Sequence, residues 1–125
     1  MAILYEYVHA YRLIALDGNK HTDDVDFWMG DSGGHWEGDT LVVDVADNHS
    51  QTWFDASGNF HSDALHVVER YTRTGPDPIS YQATLDDPKI FTRPWTISMP
   101  IYRRQEKNLQ LLEYDCYAYD EVSKK

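Results

Sequence analysis

The run His35-Trp36-Glu37-Gly38-Asp39-Thr40-Leu41-Val42-Val43-Asp44-Val45 decides the fold. Thr40 to Val45 is rich in β-branched and apolar residues, which suit a pleated, half-buried surface. Gly38-Asp39 supplies a reversal, because Gly and Asp tolerate the left-handed backbone that hairpin turns use. Outward from this hairpin the pattern repeats. Ile3 to Leu16 carries Tyr5, Tyr7, His9, Tyr11 and Leu13 at period two and stops at Asp17-Gly18-Asn19. Asp55 to Asn59 reads as a further reversal rather than a calcium loop, since the closing Glu of such a loop is missing. Ala64 to Thr72 alternates and ends at Gly75-Pro76-Asp77-Pro78, and Ile79 to Leu85 ends at Asp86-Asp87-Pro88. Ile90 to Arg93 and Trp95 to Arg103 read as extended, with Pro94 and Pro100 suited to edges or bulges. Leu109 to Tyr119 closes the series, and only Lys107 to Leu112 has any helical flavour. About eight strands at regular spacing predict a single all-β domain, a small closed antiparallel β-barrel or a sandwich. The barrel is expected over residues 1–120, with 121–125 as a polar tail.

The chain has 125 residues, enough for one domain, with 21 acidic against 11 basic residues and a net charge of −10. That surface repels phosphate backbones and anionic lipid heads, so neither nucleic acid nor membrane is an expected partner. No apolar run approaches the roughly 20 residues that span a bilayer. One Cys, Cys116, excludes an internal disulfide and a four-Cys zinc site. Nine Tyr, four Trp and four Phe are too many rings for a disordered acidic tail. Rings such as Trp36, Trp95 and Tyr114 suit a packed core, and they equally suit a planar aromatic ligand.

Gly30-Asp31-Ser32-Gly33-Gly34 spells the string around the nucleophile of trypsin-like proteases. Those enzymes need two barrels, with His and Asp well upstream of the Ser, and this chain has neither the length nor the pattern. The string reads as a Gly-rich loop. Within it, Asp31 suits general-base work beside Trp28 and Trp36, or an Asx-turn. Glu113 follows Leu111 on a face that begins apolar. It points either into the core, where desolvation would favour proton exchange near neutrality, or into solvent. His61, Asp63 and His66 carry metal-ligand chemistry, but two His five apart on a continuous strand face opposite ways, so no metal is expected. His66 alternates with Ala64, Val68 and Arg70, and reads as a core histidine or an interior proton carrier.

Three longer strings are distinctive: Trp28 to Asp44, His61 to Arg70, and Asp86-Asp87-Pro88-Lys89 with Thr92-Arg93-Pro94-Trp95-Thr96. Together they resemble a large family of bacterial exported proteins that includes a pyocyanin demethylase, and the resemblance covers nearly the whole chain. It implies a small, cofactor-free β-barrel that assembles as a homotrimer and is secreted or periplasmic. The start at Met1-Ala2, directly before a strand, then reads as a trimmed mature domain. The implied reaction is loss of the N-methyl group of pyocyanin, a planar phenazine, giving 1-hydroxyphenazine in reduced form and formaldehyde, with the substrate as its own electron acceptor. Asp31 and Glu113 match the family's pocket carboxylates, and His66 and Tyr114 stand for its His and Tyr. Trp36 and Trp95 would stack on the tricycle. A non-catalytic binder of aromatic molecules, or another small-molecule enzyme of the family, is the alternative.

Overall fold

The computed structural model describes residues 1–6, 10–17, 21 and 25–111. Among them no helix is long and apolar enough to cross a membrane. Strands β1 (Ala2–Leu4) and β2 (Tyr11–Leu13) form an antiparallel hairpin. Strands β3 (Asp31–Glu37), β4 (Thr40–Ala46), β5 (His66–Arg73), β6 (Pro78–Asp86) and β7 (Trp95–Tyr102) form an antiparallel sheet in chain order. The all-β antiparallel expectation therefore holds, but the described strands make two sheets of two and five, with no closed ring among them.

Three local readings change. Ile3 to Leu16 is not one strand, because the Tyr5 amide donates to the Ala10 carbonyl and turns the run back on itself. Ile90 and Phe91 are a turn rather than extended chain, with both amides donating to the Asp87 carbonyl. Lys107-Asn108 is a turn with Asn108 at φ +64°, not helical. Most of the final strand expected at Leu109 to Tyr119 lies outside the described residues, as does the 121–125 tail.

Register sorts the side chains onto two faces. Ser32, Val45, Val67, Leu85 and Trp95 are cross-strand partners, and so are Gly34, Val43, Glu69, Ala83 and Ile97. These residues and their period-two neighbours form the core face. One core cluster joins Leu41, Val43 and Val45 to Ile14, with Ile3 and Tyr71 against it. A second joins Leu65, Ala83 and Leu85 to Phe54, Tyr81 and Trp95. Each fully buried aliphatic side chain contributes about 1.5–3 kcal/mol, so this face holds most of the stability.

The Gly-rich string proves to be structural. The chain leaving β2 crosses β3, where the Ala15 amide donates to the Ser32 carbonyl (2.9 Å) and the Gly34 amide to the Ala15 carbonyl (2.7 Å). A Cβ on Gly34 would stand 2.7 Å from Ile14 Cγ2. Gly30 sits at φ +67°, where a Cβ would meet Val45 Cγ1, Asn48 Oδ1 and the Ala46 carbonyl at 2.6–2.8 Å. Ser32 is buried on the core face, which removes it as a nucleophile.

The core face also holds a charged pair. Glu69 is buried, and Arg12 Nη2 from the hairpin donates to its Oε2 at 2.5 Å. The hydroxyls of Tyr81 (2.8 Å) and Tyr71 (3.2 Å) donate to Oε1. Burial, and then the neighbouring Glu69, push both tyrosine hydroxyls well above their ordinary range.

Gly30→Ala should cost about 2–4 kcal/mol, combining left-handed strain with crowding. Gly38 also has a positive φ, +58°, but open space around it, so Gly38→Ala should cost only about 1 kcal/mol; equal losses in urea unfolding would show that crowding adds nothing. Glu69→Gln should cost about 3–5 kcal/mol by leaving the Arg12 charge buried without its partner. Tyr71 and Tyr81 keep their protons to higher pH in the fold than in the unfolded chain, so their stabilisation is complete below about pH 10 and declines above it. The urea midpoint should fall between about pH 10 and about pH 12, and Tyr81→Phe should flatten that fall; an unchanged profile would contradict it.

Candidate functional site

The face opposite the core is polar. Gly33, Asp44, Val68, Thr84 and Thr96 are cross-strand partners there, so period two places Asp31 and His66 on the same side as Asp44. His21, from the segment before β3, lies against them. Its Nδ1 is 3.2 Å from Asp31 Oδ2 and its Nε2 is 3.5 Å from Asp44 Oδ2. The other Asp44 oxygen is hydrogen-bonded to His66 Nε2. Asp47 follows β4 with φ +54° and brings a carboxylate oxygen within 4.8 Å of ligand atoms of His21 and Asp31.

Backbone geometry fixes this arrangement. Asp31 opens β3 opposite Ala46, immediately before Asp47. The Phe27 amide donates to the Asp47 carbonyl (2.8 Å) and the His49 amide to the Phe27 carbonyl (2.9 Å), pinning the chain on both sides. The result is an alternating series Asp31, His21, Asp44, His66 in which each imidazole faces a carboxylate. Such a series can relay protons, because imidazole both donates and accepts. Nitrogen and carboxylate oxygen converging on one point can also hold a divalent cation. Further along the face, Arg70 Nη2 donates to Glu37 Oε2 at 2.5 Å and His35 contacts Oε1 at 3.1 Å. Arg70 first, and His35 second, hold the Glu37 carboxyl below its usual range.

A separate cleft opens at the other end of the core face. Met1, Ile3, Trp36, Leu41, Tyr71, Ile79 and Ile101 enclose a volume of about 600 Å³, with Asp39 and Arg73 among its lining residues. That volume lies within the about 300–1,000 Å³ typical of small-molecule sites. Trp36, which lines the cleft, is 59% exposed.

The structure separates several residues that the sequence reading grouped. Asp31 belongs to a strand, not a loop. Trp36 is on the same strand but faces the other way, about 17 Å along it at 3.3–3.4 Å per residue, so it does not neighbour the Asp31 carboxylate. Trp95 packs against Phe54 and Phe91, with ring centroids 5.6 Å apart in each case, in the second core cluster. His66 is exposed on the polar face rather than interior, because its register follows Val68 and Asp44. Glu113 and Tyr114 lie outside the described residues. His61, Asp63 and His66 do not converge: His61 bonds Thr52 Oγ1 (2.7 Å), Asp63 bonds Lys89, and His66 bonds Asp44. Asp55 to Asn59 makes the expected reversal, with the Asp55 carboxylate accepting from the Ser57 amide at 2.8 Å.

Residues that the sequence reading missed are His21, Asp44 and Asp47 at the polar site, and Asp87 in the scaffold. Asp44 carried a signal, as the lone charge inside Leu41 to Val45. His21 and Asp47 carried none, since their positions depend on how two turns meet. Asp87 is fully buried and accepts from the Ser62 amide (2.6 Å) and Ser62 Oγ (2.8 Å). Burial alone would raise its carboxyl, but these donors hold it below the usual range. Comparison with family models, curated proteins and solved structures found no match.

Proposed function

We propose that this domain binds a small planar aromatic molecule in the Trp36–Tyr71 cleft, with an N-methyl phenazine such as pyocyanin as the first ligand to test. The observation that carries the reading is the cleft itself: about 600 Å³, walled by aliphatic side chains and two aromatic rings. An apolar planar ligand gains there from desolvation and from stacking, the latter about 0.5–1.5 kcal/mol per ring pair.

A catalytic reading, cofactor-free demethylation of pyocyanin to the reduced form of 1-hydroxyphenazine and formaldehyde, rests on the family resemblance and on one further observation. Asp31, His21, Asp44 and His66 form a chain of groups able to move a proton from the methyl carbon to the ring. Water would then add to the methylene tautomer and the carbinolamine would collapse to formaldehyde. This reading needs the substrate at Asp31, on the face opposite the cleft, and a contribution from Glu113. In it the complete domain closes into a barrel and assembles as an exported homotrimer. Exposed Met99, Ile101 and Tyr102 on β7 are the kind of surface that suits such an interface.

Titration with pyocyanin should quench Trp fluorescence saturably, and Trp36→Ala should weaken binding by up to about tenfold, the equivalent of one stacked ring. Absence of saturation would remove the binding proposal. Formaldehyde release without added cofactor, abolished by Asp31→Asn and Glu113→Gln, is the expected result for the catalytic reading; binding without product leaves the domain a binder. Light scattering should give the mass of a trimer, and a monomer would remove the assembly.

A further inference from the structure

We propose that His21, Asp31 and Asp47 form a binding site for a first-row divalent cation such as Zn²⁺ or Mn²⁺, with Asp44 orienting His21 from behind. The proposal depends neither on the cleft nor on phenazine chemistry. Three observations converge on it. One ligand atom from each of the three side chains lies within 4.8 Å of the others. His21 Nδ1 and Asp31 Oδ2, at 3.2 Å, already have about the spacing of two ligands on a tetrahedral zinc, where metal bonds of about 2.0–2.2 Å set neighbours about 3.4 Å apart. Asp47 would have to close by at most about 1.4 Å to complete that geometry, a shift within reach of a side-chain rotation.

The second observation is an oxygen with unused bonding capacity. Asp47 Oδ2 is buried and has no hydrogen-bond partner among the described residues. A carboxylate oxygen shielded from water without a donor is costly, and a cation offsets that cost directly. The third is the arrangement behind His21. A ligating imidazole ordinarily gives its second nitrogen's proton to a carboxylate, which fixes the tautomer and aims the ring. Here Nε2 faces Asp44 Oδ2 at 3.5 Å while Nδ1 faces Asp31 Oδ2, and Asp44 is itself anchored by His66.

The donor set chooses the ion. One imidazole with two carboxylates suits zinc and manganese, whereas magnesium and calcium favour all-oxygen shells. Three protein ligands leave at least one position for water or a substrate oxygen, the pattern of an open rather than a closed structural site.

The test is calorimetric titration of chelator-treated full chain with Zn²⁺. One site per chain is expected, weakened at least about 100-fold in His21→Ala and Asp47→Asn and about 10–100-fold in Asp44→Asn. His35→Ala, which removes another imidazole on the same face, should leave the affinity unchanged. A readout without variants guards against misfolding: Mn²⁺ should broaden the His21 ring resonances before those of His35 and His49. Absence of stoichiometric binding, binding indifferent to His21→Ala, or broadening that spares His21 would each overturn the site.

Discussion

The Arg12–Glu69 pair is the constraint on which the other features depend. Glu69 lies on the core face of the central strand, where an ionised carboxylate without partners would cost several kcal/mol. Its partners come from three directions. Arg12 arrives from the hairpin, Tyr71 from the same strand and Tyr81 from β6. The pair therefore ties a two-stranded hairpin, too small to be stable alone, to the middle of the five-stranded sheet. Tyr71 is a shared member: it accepts from Arg12 Nη2 at 3.3 Å, donates to Glu69, and also walls the cleft. Loss of the pair would thus loosen the cleft before it touched the polar face.

The sheet keeps two kinds of chemistry apart. The pleat sends alternate residues of β3 to opposite sides, so a strand that opens with Asp31 and ends near Trp36 contributes to both sites without joining them. The hairpin covers one end of the core face at Ile14 and Gly34, and the 54–65 segment covers the other with Phe54 and Leu65. Among the described residues, the corner between Trp36 and Ile101 is left uncovered. The opposite face needs little cover because its polar side chains shield the buried Val42 beneath them.

Legibility in the sequence followed the range of the interactions. Strands β4, β5, β6 and β7 were visible because β-branched alternation and the Gly-Asp, Gly-Pro and Asp-Pro reversals act within a few residues. The splitting of Ile3 to Leu16 was not, because the period-two pattern is the same whether a run is one strand or a hairpin. Gly30 and Gly34 looked like a loop signal and are instead close-approach positions, for which the crowding residues, Val45 and Ile14, are distant or on another element. Asp31 was found as a candidate, but with the wrong neighbours: adjacency in sequence suggested Trp36, while the ladder supplies Asp44 and Asp47. Glu69 reads only as one residue of an alternating run and Asp87 as part of a turn, since nothing local says that Arg12 or Ser62 will meet them.

Charge supplies the last step. In a chain of net charge −10, gathering Asp31, Asp44 and Asp47 at one end of a hairpin works against repulsion. Two unit charges about 4.8 Å apart at an effective dielectric of about 20 repel by about 3 kcal/mol before solvent screening. Among the described residues Arg12 meets Glu69, Arg70 meets Glu37, Lys89 meets Asp63 and Arg104 meets Glu106. His21 contacts Asp31 and Asp44 in this cluster, and His66 bonds Asp44 from behind. A divalent cation between Asp31 and Asp47 would offset that repulsion directly. The acidic composition, which first served only to exclude phosphate and lipid partners, thereby becomes an argument for a cation at one defined place.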